Sequence, residues 1–249
     1  MRIGNEQSHH QLGGYMALTI SNPSSPDDFV LMPHTRAKLE AVLDGTVKFP
    51  GNGVSALLLY GVYGSGKTTM AKLLPGWLET VKTTPVLQSI PVGSIIDSTQ
   101  PNIDFHSCAQ GQNGASLISQ IQSHVMTMSF NPSCLHYVIL DEVDNLTAAA
   151  HASLKAIMNY THVVFVLTTN HLNKVDPGVI NRSIVLDMNS APTSAWLNKI
   201  KAIYAASGKT PPPDQAIAGV VNAGNGSART ILTDIEITQS IRERQFEDE

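Results

Sequence analysis

The residues best suited to chemistry lie in a glycine-rich loop, with an apolar run before it and a helical pattern after it. The loop fits the phosphate-binding pattern G-x-x-x-x-G-K-[ST] and reads Gly61, Val62, Tyr63, Gly64, Ser65, Gly66, Lys67, Thr68, with Thr69 next. Its glycines let backbone N–H groups turn toward phosphate oxygens, and the positive end of the following helix faces the same anion. Such a match arises by chance in roughly one chain of this length in a hundred. The loop therefore predicts an ATP site, in which Lys67 reaches the β- and γ-phosphates and Thr68 holds Mg²⁺.

A second group of chemical residues follows another apolar run, residues 137–140, which ends in Asp141 and Glu142. At the end of a buried strand, Asp141 would bind Mg²⁺ through its water shell. Glu142 would orient and polarise the attacking water. An ordinary acidic turn has the same letters, but the phosphate loop upstream favours the catalytic interpretation. Asp144 precedes an alanine-rich stretch and is expected to cap a helix there.

The elements that must position these residues alternate between strand and helix. Strands are predicted at 56–60, 102–108, 137–140, 163–168 and 183–187, and helices at 34–43, 67–80, 115–128 and 148–160. Continuous apolar strands alternating with helices indicate a parallel sheet covered on both faces. Residues 83–101, rich in Pro, Ser and Thr, predict an excursion or hairpin.

The pattern changes at Ala191-Pro192, after which only helices are predicted, at 193–207, 214–223 and 227–244. The sequence therefore divides into a loose N-terminal arm (1–25), an α/β ATPase domain (26–190) and a small all-helical lid domain (191–249). The arm is expected to be loose because it is rich in Gly, Ser, Asn, His and Pro.

The amino-acid composition limits which partners and which cellular compartment are expected for this protein. The net charge of −4 gives no sign of a nucleic-acid binder, so any contact with DNA would have to be local. Two cysteines form no disulfide framework. The first residues lack the apolar core of a signal peptide, and no apolar run could span a membrane. A cytoplasmic protein with no membrane partner is expected.

At these motifs the chain resembles the AAA+ ATPases, and within them the clamp-loader small subunits, as in replication factor C. The resemblance covers about residues 26–240 and is carried by five segments: 26–43, 59–69, 108–122, 139–147 and 163–185. It implies a P-loop AAA+ sheet followed by a helical lid.

The resemblance implies three further roles. Asn170, after the strand at 163–168, matches sensor 1, whose amide contacts the γ-phosphate or the lytic water. Arg182 matches the arginine finger, which enters a neighbouring subunit's site; here it lies in Asn181-Arg182-Ser183, where the family usually has Ser-Arg-Cys. A planar guanidinium suits the charge that builds on a transferred phosphoryl group. Arg229, in Gly226-Ser227-Ala228-Arg229, matches sensor 2, which touches the bound phosphates.

The resemblance also places the helix at 115–128 near DNA. From Phe105 to Leu140 the sequence has no Asp, Glu, Lys or Arg. Hydrogen bonds to phosphates would have to come from the helix N-terminus and from polar side chains: Gln112, Asn113, Ser116, Ser119 and Gln120. DNA affinity should then be weak per subunit and only gently salt-dependent. The collar domain of clamp-loader subunits is also expected to be missing, because the sequence ends where the lid ends.

Two histidine–cysteine pairs invite a zinc interpretation, which the spacing opposes. His106 with Cys108, and Cys134 with His136, lack the spacing of zinc-finger ligands. In the predicted parallel sheet one pair ends a strand and the other begins its neighbour, so the pairs would lie at opposite ends.

The function expected from all of this is Mg²⁺-dependent ATP hydrolysis at subunit interfaces of a homo-oligomeric ring or spiral. It would drive a clamp-loader-like DNA-replication task, with DNA and a sliding clamp or helicase as partners, and would suit a compact viral system in a host cytoplasm. The alternative is a helicase loader or protein-remodelling ATPase that grips a protein client. A regulatory subunit without turnover is disfavoured, because Glu142, Asn170 and Arg182 are all present.

Overall fold

The computed structural model describes residues 18–83, 100–109, 111, 113–189 and 191–247. Within these ranges there are five strands: β1 (Ala56–Tyr60), β2 (Ile103–Ser107), β3 (His136–Asp141), β4 (Val163–Thr169) and β5 (Ser183–Asp187). The helices are α1 (Pro33–Leu43), α2 (Lys67–Thr83), α3 (Ala115–Val125), α4 (Ala148–Ile157), α5 (Pro177–Asn181), α6 (Thr193–Ala206), α7 (Asp214–Ala223) and α8 (Ala228–Glu247). Short 3₁₀ turns lie at Pro26–Asp28, Val143–Asn145 and Leu172–Lys174. Most of the predicted excursion at 83–101 and most of the N-terminal arm lie outside the described residues.

The strands form one sheet in the order β2-β3-β4-β1-β5, and every neighbouring pair is parallel. Successive side chains of a strand point to opposite faces. Along β3, Val138 and Leu140 pack with α3 and α4, whereas Tyr137 and Ile139 pack with α1 and α2. Helices cover both faces of the sheet, and the predicted α/β fold is confirmed.

Because the strands are parallel, the sheet has two chemically different edges. The carboxyl ends of β1, β3 and β4 meet at one edge, where the phosphate loop and Asp141 lie. The opposite edge holds the amino ends, including Arg182 immediately before β5. This separation decides which of the predicted site residues can meet.

The three last helices, α6, α7 and α8, pack around a core of their own. Its buried members include Trp196, Ile200, Tyr204, Ile217, Ile231 and Ile235. Leu18, from the segment predicted as a loose arm, is buried in this same core. Residues 18–25 therefore make defined contacts with the rest of the protein.

Several local expectations differ from the structure: α4 ends at Ile157 instead of residue 160, and α8 runs to Glu247 instead of residue 244. Asp144 does not cap α4; Thr147 does, because its side chain accepts from the N–H of Ala150, while Asp144 accepts a hydrogen bond from Thr169 (2.8 Å). Helix α3 ends at Val125, three residues before the predicted end, where the Thr127 hydroxyl donates to the carbonyl of His124. Within the described residues, no helix is long and apolar enough to cross a membrane.

Candidate active site

The phosphate loop joins β1 to α2 and is shaped by its glycines. Gly64 (φ 76°) and Gly66 (φ 93°) adopt left-handed conformations, which side-chain-bearing residues rarely take. A Cβ on Gly64 would also lie 2.5 Å from the hydroxyl of Ser227. The Gly64 carbonyl accepts from the N–H of Arg229 (3.0 Å), so the loop is in contact with the first turn of α8.

Lys67, the first residue of α2, is buried beneath the loop with 7% of its surface exposed. Its ammonium donates to the carbonyls of Gly61 (2.9 Å) and Val62 (2.8 Å). Burial lowers the pKa of Lys67, while the negative charges of Asp141, Asp144 and Glu142 act in the opposite direction. The Lys67 ammonium is thus held by backbone carbonyls of the phosphate loop and lies in the field of nearby carboxylates.

Asp141 connects the phosphate loop to β4. Its Oδ1 accepts from the hydroxyls of Thr68 (2.9 Å) and Thr168 (2.6 Å). A carboxylate beside a hydroxyl is an oxygen donor set that suits Mg²⁺, so Asp141 and Thr68 fit the predicted metal role. Thr168 was not predicted; the only signal for it in the sequence is a hydroxyl residue near the end of a buried strand next to β3.

Glu142 follows β3 in a left-handed conformation (φ 61, ψ 52). This conformation is uncommon for a residue with a side chain, and backbone outliers of this kind concentrate at functional sites. The Glu142 N–H donates to the Thr168 hydroxyl (2.9 Å), and its carboxylate accepts from the Asn145 amide (3.2 Å). The backbone therefore changes direction at Glu142, directly after the end of β3.

A cavity of about 190 Å³ collects most of the predicted site residues. It is lined by Tyr63, Gly64, Gly66, Lys67, Thr68, Thr69, Asp141, Glu142, Thr168, Asn170 and Arg229. Asn170 reaches it from the end of β4, and Arg229 from the start of α8. The structure therefore brings residues from four elements and from the helical region to one cleft.

Of the predicted loop residues, Gly61, Val62 and Ser65 are not part of the lining of this cleft. Arg182 is the predicted catalytic residue that does not reach it. Its carbonyl accepts from the N–H groups of Ser55 and Ala56, at the amino end of β1. The phosphate loop follows the carboxyl end of β1, so the whole length of that strand lies between them. The guanidinium donates to the Gly178 carbonyl (3.0 Å) and to the Asn159 side chain (3.2 Å).

A larger cavity of about 400 Å³ opens beside the phosphate loop and was not predicted. One wall comes from residues 20–23 and 28–31, and another from α6 and α8; its aromatic members are Phe29 and Trp196. Such an apolar space with a few polar groups suits a flat aromatic base. It can be found only from the structure, because its walls are far apart in sequence.

The histidine–cysteine pairs are placed as the sequence predicts. His106 lies near the carboxyl end of β2, whereas His136 begins the parallel neighbour β3. Within the described part of the chain, no group of three or more His, Cys, Asp or Glu side chains could hold a metal ion.

The arrangement of β1, glycine loop and α2 on a parallel sheet is that of the P-loop class of nucleotide-binding proteins. The chain belongs to the ATPase family associated with various cellular activities (AAA), whose sequence profile matches residues 57–187, more than half of its length. This confirms the identification as an AAA+ ATPase. Membership in the family implies nucleotide binding together with a metal.

Two similar proteins are subunits of replication factor C. The chain is 25% identical over 218 residues to replication factor C small subunit 1 of Pyrobaculum arsenaticum, covering 86% of this chain and 59% of that protein. It is 23% identical over 227 residues to replication factor C subunit 4 of Caenorhabditis elegans, covering 86% and 60%. The chain thus spans less than two thirds of the length of these relatives.

Among solved structures, the fold is similar to that of the Thermotoga maritima RuvB Holliday junction branch migration motor. The TM-score is 0.60 at 19% identity, over 89% of this chain and 65% of that one. At this identity the likeness concerns the fold alone.

Proposed function

We propose that this protein hydrolyses ATP with Mg²⁺ at the interfaces between subunits of a homo-oligomer, and that hydrolysis drives a clamp-loader-like task in DNA replication. One observation carries the proposal. The carboxyl edge of the sheet gathers Lys67, Asp141, Glu142 and Asn170 in one cleft, whereas Arg182 lies at the opposite edge. A complete site would therefore need two copies of the chain.

The phosphate loop and the residues next to it would bind ATP. The backbone N–H groups of residues 61–69 would surround the phosphates of ATP. Lys67 would exchange the carbonyls of Gly61 and Val62 for the β- and γ-phosphates. Arg229 would add a second positive charge from the side of the lid. The larger cavity would take the adenine and ribose between Phe29 and Trp196.

The metal would be held by Thr68 directly and by Asp141 through its water shell. When bound, Mg²⁺ neutralises charge on the β- and γ-phosphate oxygens. The Thr168 hydroxyl, which donates to Asp141 and accepts from the N–H of Glu142, would fix both acidic residues relative to each other.

Turnover would depend on three residues around the γ-phosphate. Glu142 would accept a proton from the attacking water, and the Asn170 amide would hydrogen-bond that water or the phosphate. Arg182 of the adjacent copy would stabilise the charge of the transition state. In this assignment residues 26–190 form the ATPase domain and 191–249 the lid.

The link to DNA replication rests on the relatives, which are replication factor C subunits. DNA would run past the exposed side of α3, where Ser116, Ser119 and Gln120 are exposed and uncharged; Gln112 lies outside the described residues. Contacts would then be hydrogen bonds to phosphates without charge neutralisation, so affinity should change little with salt. A sliding clamp or a helicase would be the protein partner.

A second candidate function, a helicase loader or remodelling ATPase that grips a protein, is favoured by the loop after α3. This loop exposes 67% of Met126, 81% of Met128 and 89% of Phe130. Flexible methionines and an aromatic ring are typical of protein-binding surfaces. The loop itself contains no lysine or arginine with which to attract DNA.

The experiment that tests the proposal measures steady-state ATPase turnover with Mg²⁺, alone and with primed or single-stranded DNA. Stimulation by DNA supports the replication function; stimulation by a protein client but not by DNA supports the second candidate. Lys67→Ala is the control, because it removes the charge that meets the phosphates. ATP affinity near that of the wild type in this variant would contradict the assignment of the phosphate loop.

A further inference from the structure

Residues 18–31, called the strap here, connect the helical region to the α/β region across the larger cavity. At one end, Leu18 is buried in the core of α6–α8, and the N–H of Thr19 donates to the Ser207 hydroxyl (2.8 Å). At the other end, the carbonyl of Ser24 accepts from the indole of Trp77 on α2 (3.1 Å). The strap is therefore attached to both parts of the molecule.

In the second half of the strap, Phe29 and Leu31 pack with the α/β core, whereas Val30 packs with the helical core. The ring of Phe29 meets that of Trp77 edge-on, with centroids 6.4 Å apart. The same ring would lie 3.4 Å from a Cβ on Gly66, so it packs directly against the phosphate loop. Asp28, one residue earlier, is thus fixed in position beside the nucleotide site.

Asp28 forms an ion pair with Lys199 on α6, with Oδ1 and Nζ 3.3 Å apart. Its other oxygen accepts from the N–H groups of Ser24 (2.9 Å) and Ser25 (3.0 Å). Burial alone would raise the pKa of Asp28, but these two N–H groups and Lys199 lower it to about 2. The carboxylate is charged at neutral pH and its orientation is set by the strap itself.

Both partners of this ion pair line the larger cavity. On the strap side the cavity is bounded by residues 20–23 and 28–31, and on the side of the helices by Trp196, Ile203 and Leu232. A molecule held between these walls would leave more readily when they separate. Separation of the strap from α6 would increase the distance between Lys199 and Asp28, whose neighbour Phe29 packs on the phosphate loop.

We propose that the Asp28–Lys199 ion pair is a latch on this cavity and sets the rate at which nucleotide leaves it. The inference rests on the proposed function, since it takes the occupant to be ADP or ATP. Asp28 and Lys199 are positioning residues in this role: they hold the strap against α6 and act on the nucleotide through the walls of the cavity. Breaking the pair should speed ADP release without changing the chemical step.

The chain offers a matched control on the same helix. Lys201, two residues further along α6, pairs with Asp214 of α7 (2.7 Å). That pair stays inside the helical region and does not cross the cavity. Lys199→Gln and Lys201→Gln therefore remove the same charge from the same helix, but only the first removes a contact between strap and lid.

The test measures dissociation of tritiated ADP from the full chain after a chase with unlabelled ADP. Lys199→Gln should release ADP about two- to fivefold faster than the wild type, as expected for a partly exposed ion pair. Lys201→Gln should match the wild type. Raising the ionic strength should speed release from the wild type by a larger factor than from Lys199→Gln, because salt screens the ion pair in addition to the charges that hold the phosphates.

A double-mutant cycle with Asp28→Asn separates the latch from a direct contact of Lys199 with nucleotide. If the latch operates, Lys199→Gln adds nothing in the Asp28→Asn background. A full further effect in that background would show that Lys199 touches the nucleotide itself and would overturn the proposal. Equal release from Lys199→Gln and Lys201→Gln would overturn it as well. Wild-type protein that binds no ADP would instead refute the proposed function.

Discussion

Arg182→Ala is the substitution that most directly tests whether the active site is shared between subunits. Arg182 lies at the amino end of β1, and the phosphate loop follows the carboxyl end of this five-residue strand. The length of such a strand is about 16 Å, and the body of the sheet lies between, so the guanidinium cannot reach its own chain's γ-phosphate. The variant should keep ATP binding and lose turnover by a factor of about 10³ to 10⁵, as arginine fingers do in related enzymes.

The fold itself should tolerate the change. The side chain gives up hydrogen bonds to the Gly178 carbonyl and the Asn159 amide oxygen, which are each worth only about 1 kcal/mol. Arg242→Ala, which removes another arginine that donates to a backbone carbonyl, is a suitable control. Its turnover should be unchanged, and both variants should unfold at temperatures close to that of the wild type.

Complementation gives the decisive assay. Arg182→Ala is mixed with Glu142→Gln in equal amounts, and phosphate release is measured at concentrations at which the chains assemble. In about a quarter of head-to-tail contacts, an intact Glu142 meets an intact Arg182 from the neighbour. Turnover should then rise clearly above the mean of the two variants measured separately, toward about a quarter of the wild-type value per chain. No recovery in a mixture shown to co-assemble would refute the shared site.

Three further predictions concern single residues. Glu142→Gln should bind ATP like the wild type but lose more than about tenfold in turnover; a loss under about threefold would mean that Glu142 is not the base. Thr168→Val keeps the shape but removes the hydroxyl between Asp141 and Glu142, so kcat should fall about tenfold while ATP affinity, measured by equilibrium binding, changes little; an unchanged kcat would contradict this. The pKa of Asp28 is about 2 against an ordinary 3.8, so its charge stabilises the fold above pH 3.8 and that contribution is lost as the pH falls toward 2. Asp28→Asn should therefore have a lower urea midpoint than the wild type at pH 7, and the difference between the two midpoints should narrow below about pH 4. A difference that persists unchanged at low pH would show that the charge of Asp28 is not its cause.

The parts of the candidate site whose position in the fold the sequence predicts are those encoded by neighbouring residues. The phosphate loop lies between an apolar run and a helix, and Asp141 and Glu142 end a second apolar run, so a local pattern contains all the information. Parallel strands then bring the two together at one edge of the sheet, which follows from the fold class alone.

The parts that escape prediction depend on register and on distant contacts. Thr168 meets Asp141 because β4 pairs with β3 in one particular register. The Asp28–Lys199 pair joins positions that are remote in sequence. The helix cap was mistaken for a related reason: Asp144 and Thr147 are both good caps by type, and only the contact with Thr169 removes Asp144 from that role.

The placement of Arg182 and the phosphate loop at opposite edges of one sheet has a consequence for how activity should scale with assembly. If subunits share the site in the proposed way, their contacts would join unlike surfaces, so the chains would add head to tail and the assembly would have a direction. An open spiral would leave one terminal copy whose nucleotide meets no arginine and another whose arginine meets no nucleotide. Such a spiral has one fewer working site than it has chains, whereas a closed ring has as many as it has chains. Specific activity per chain, followed as protein concentration is raised, would therefore distinguish a ring from a spiral without any image of the assembly.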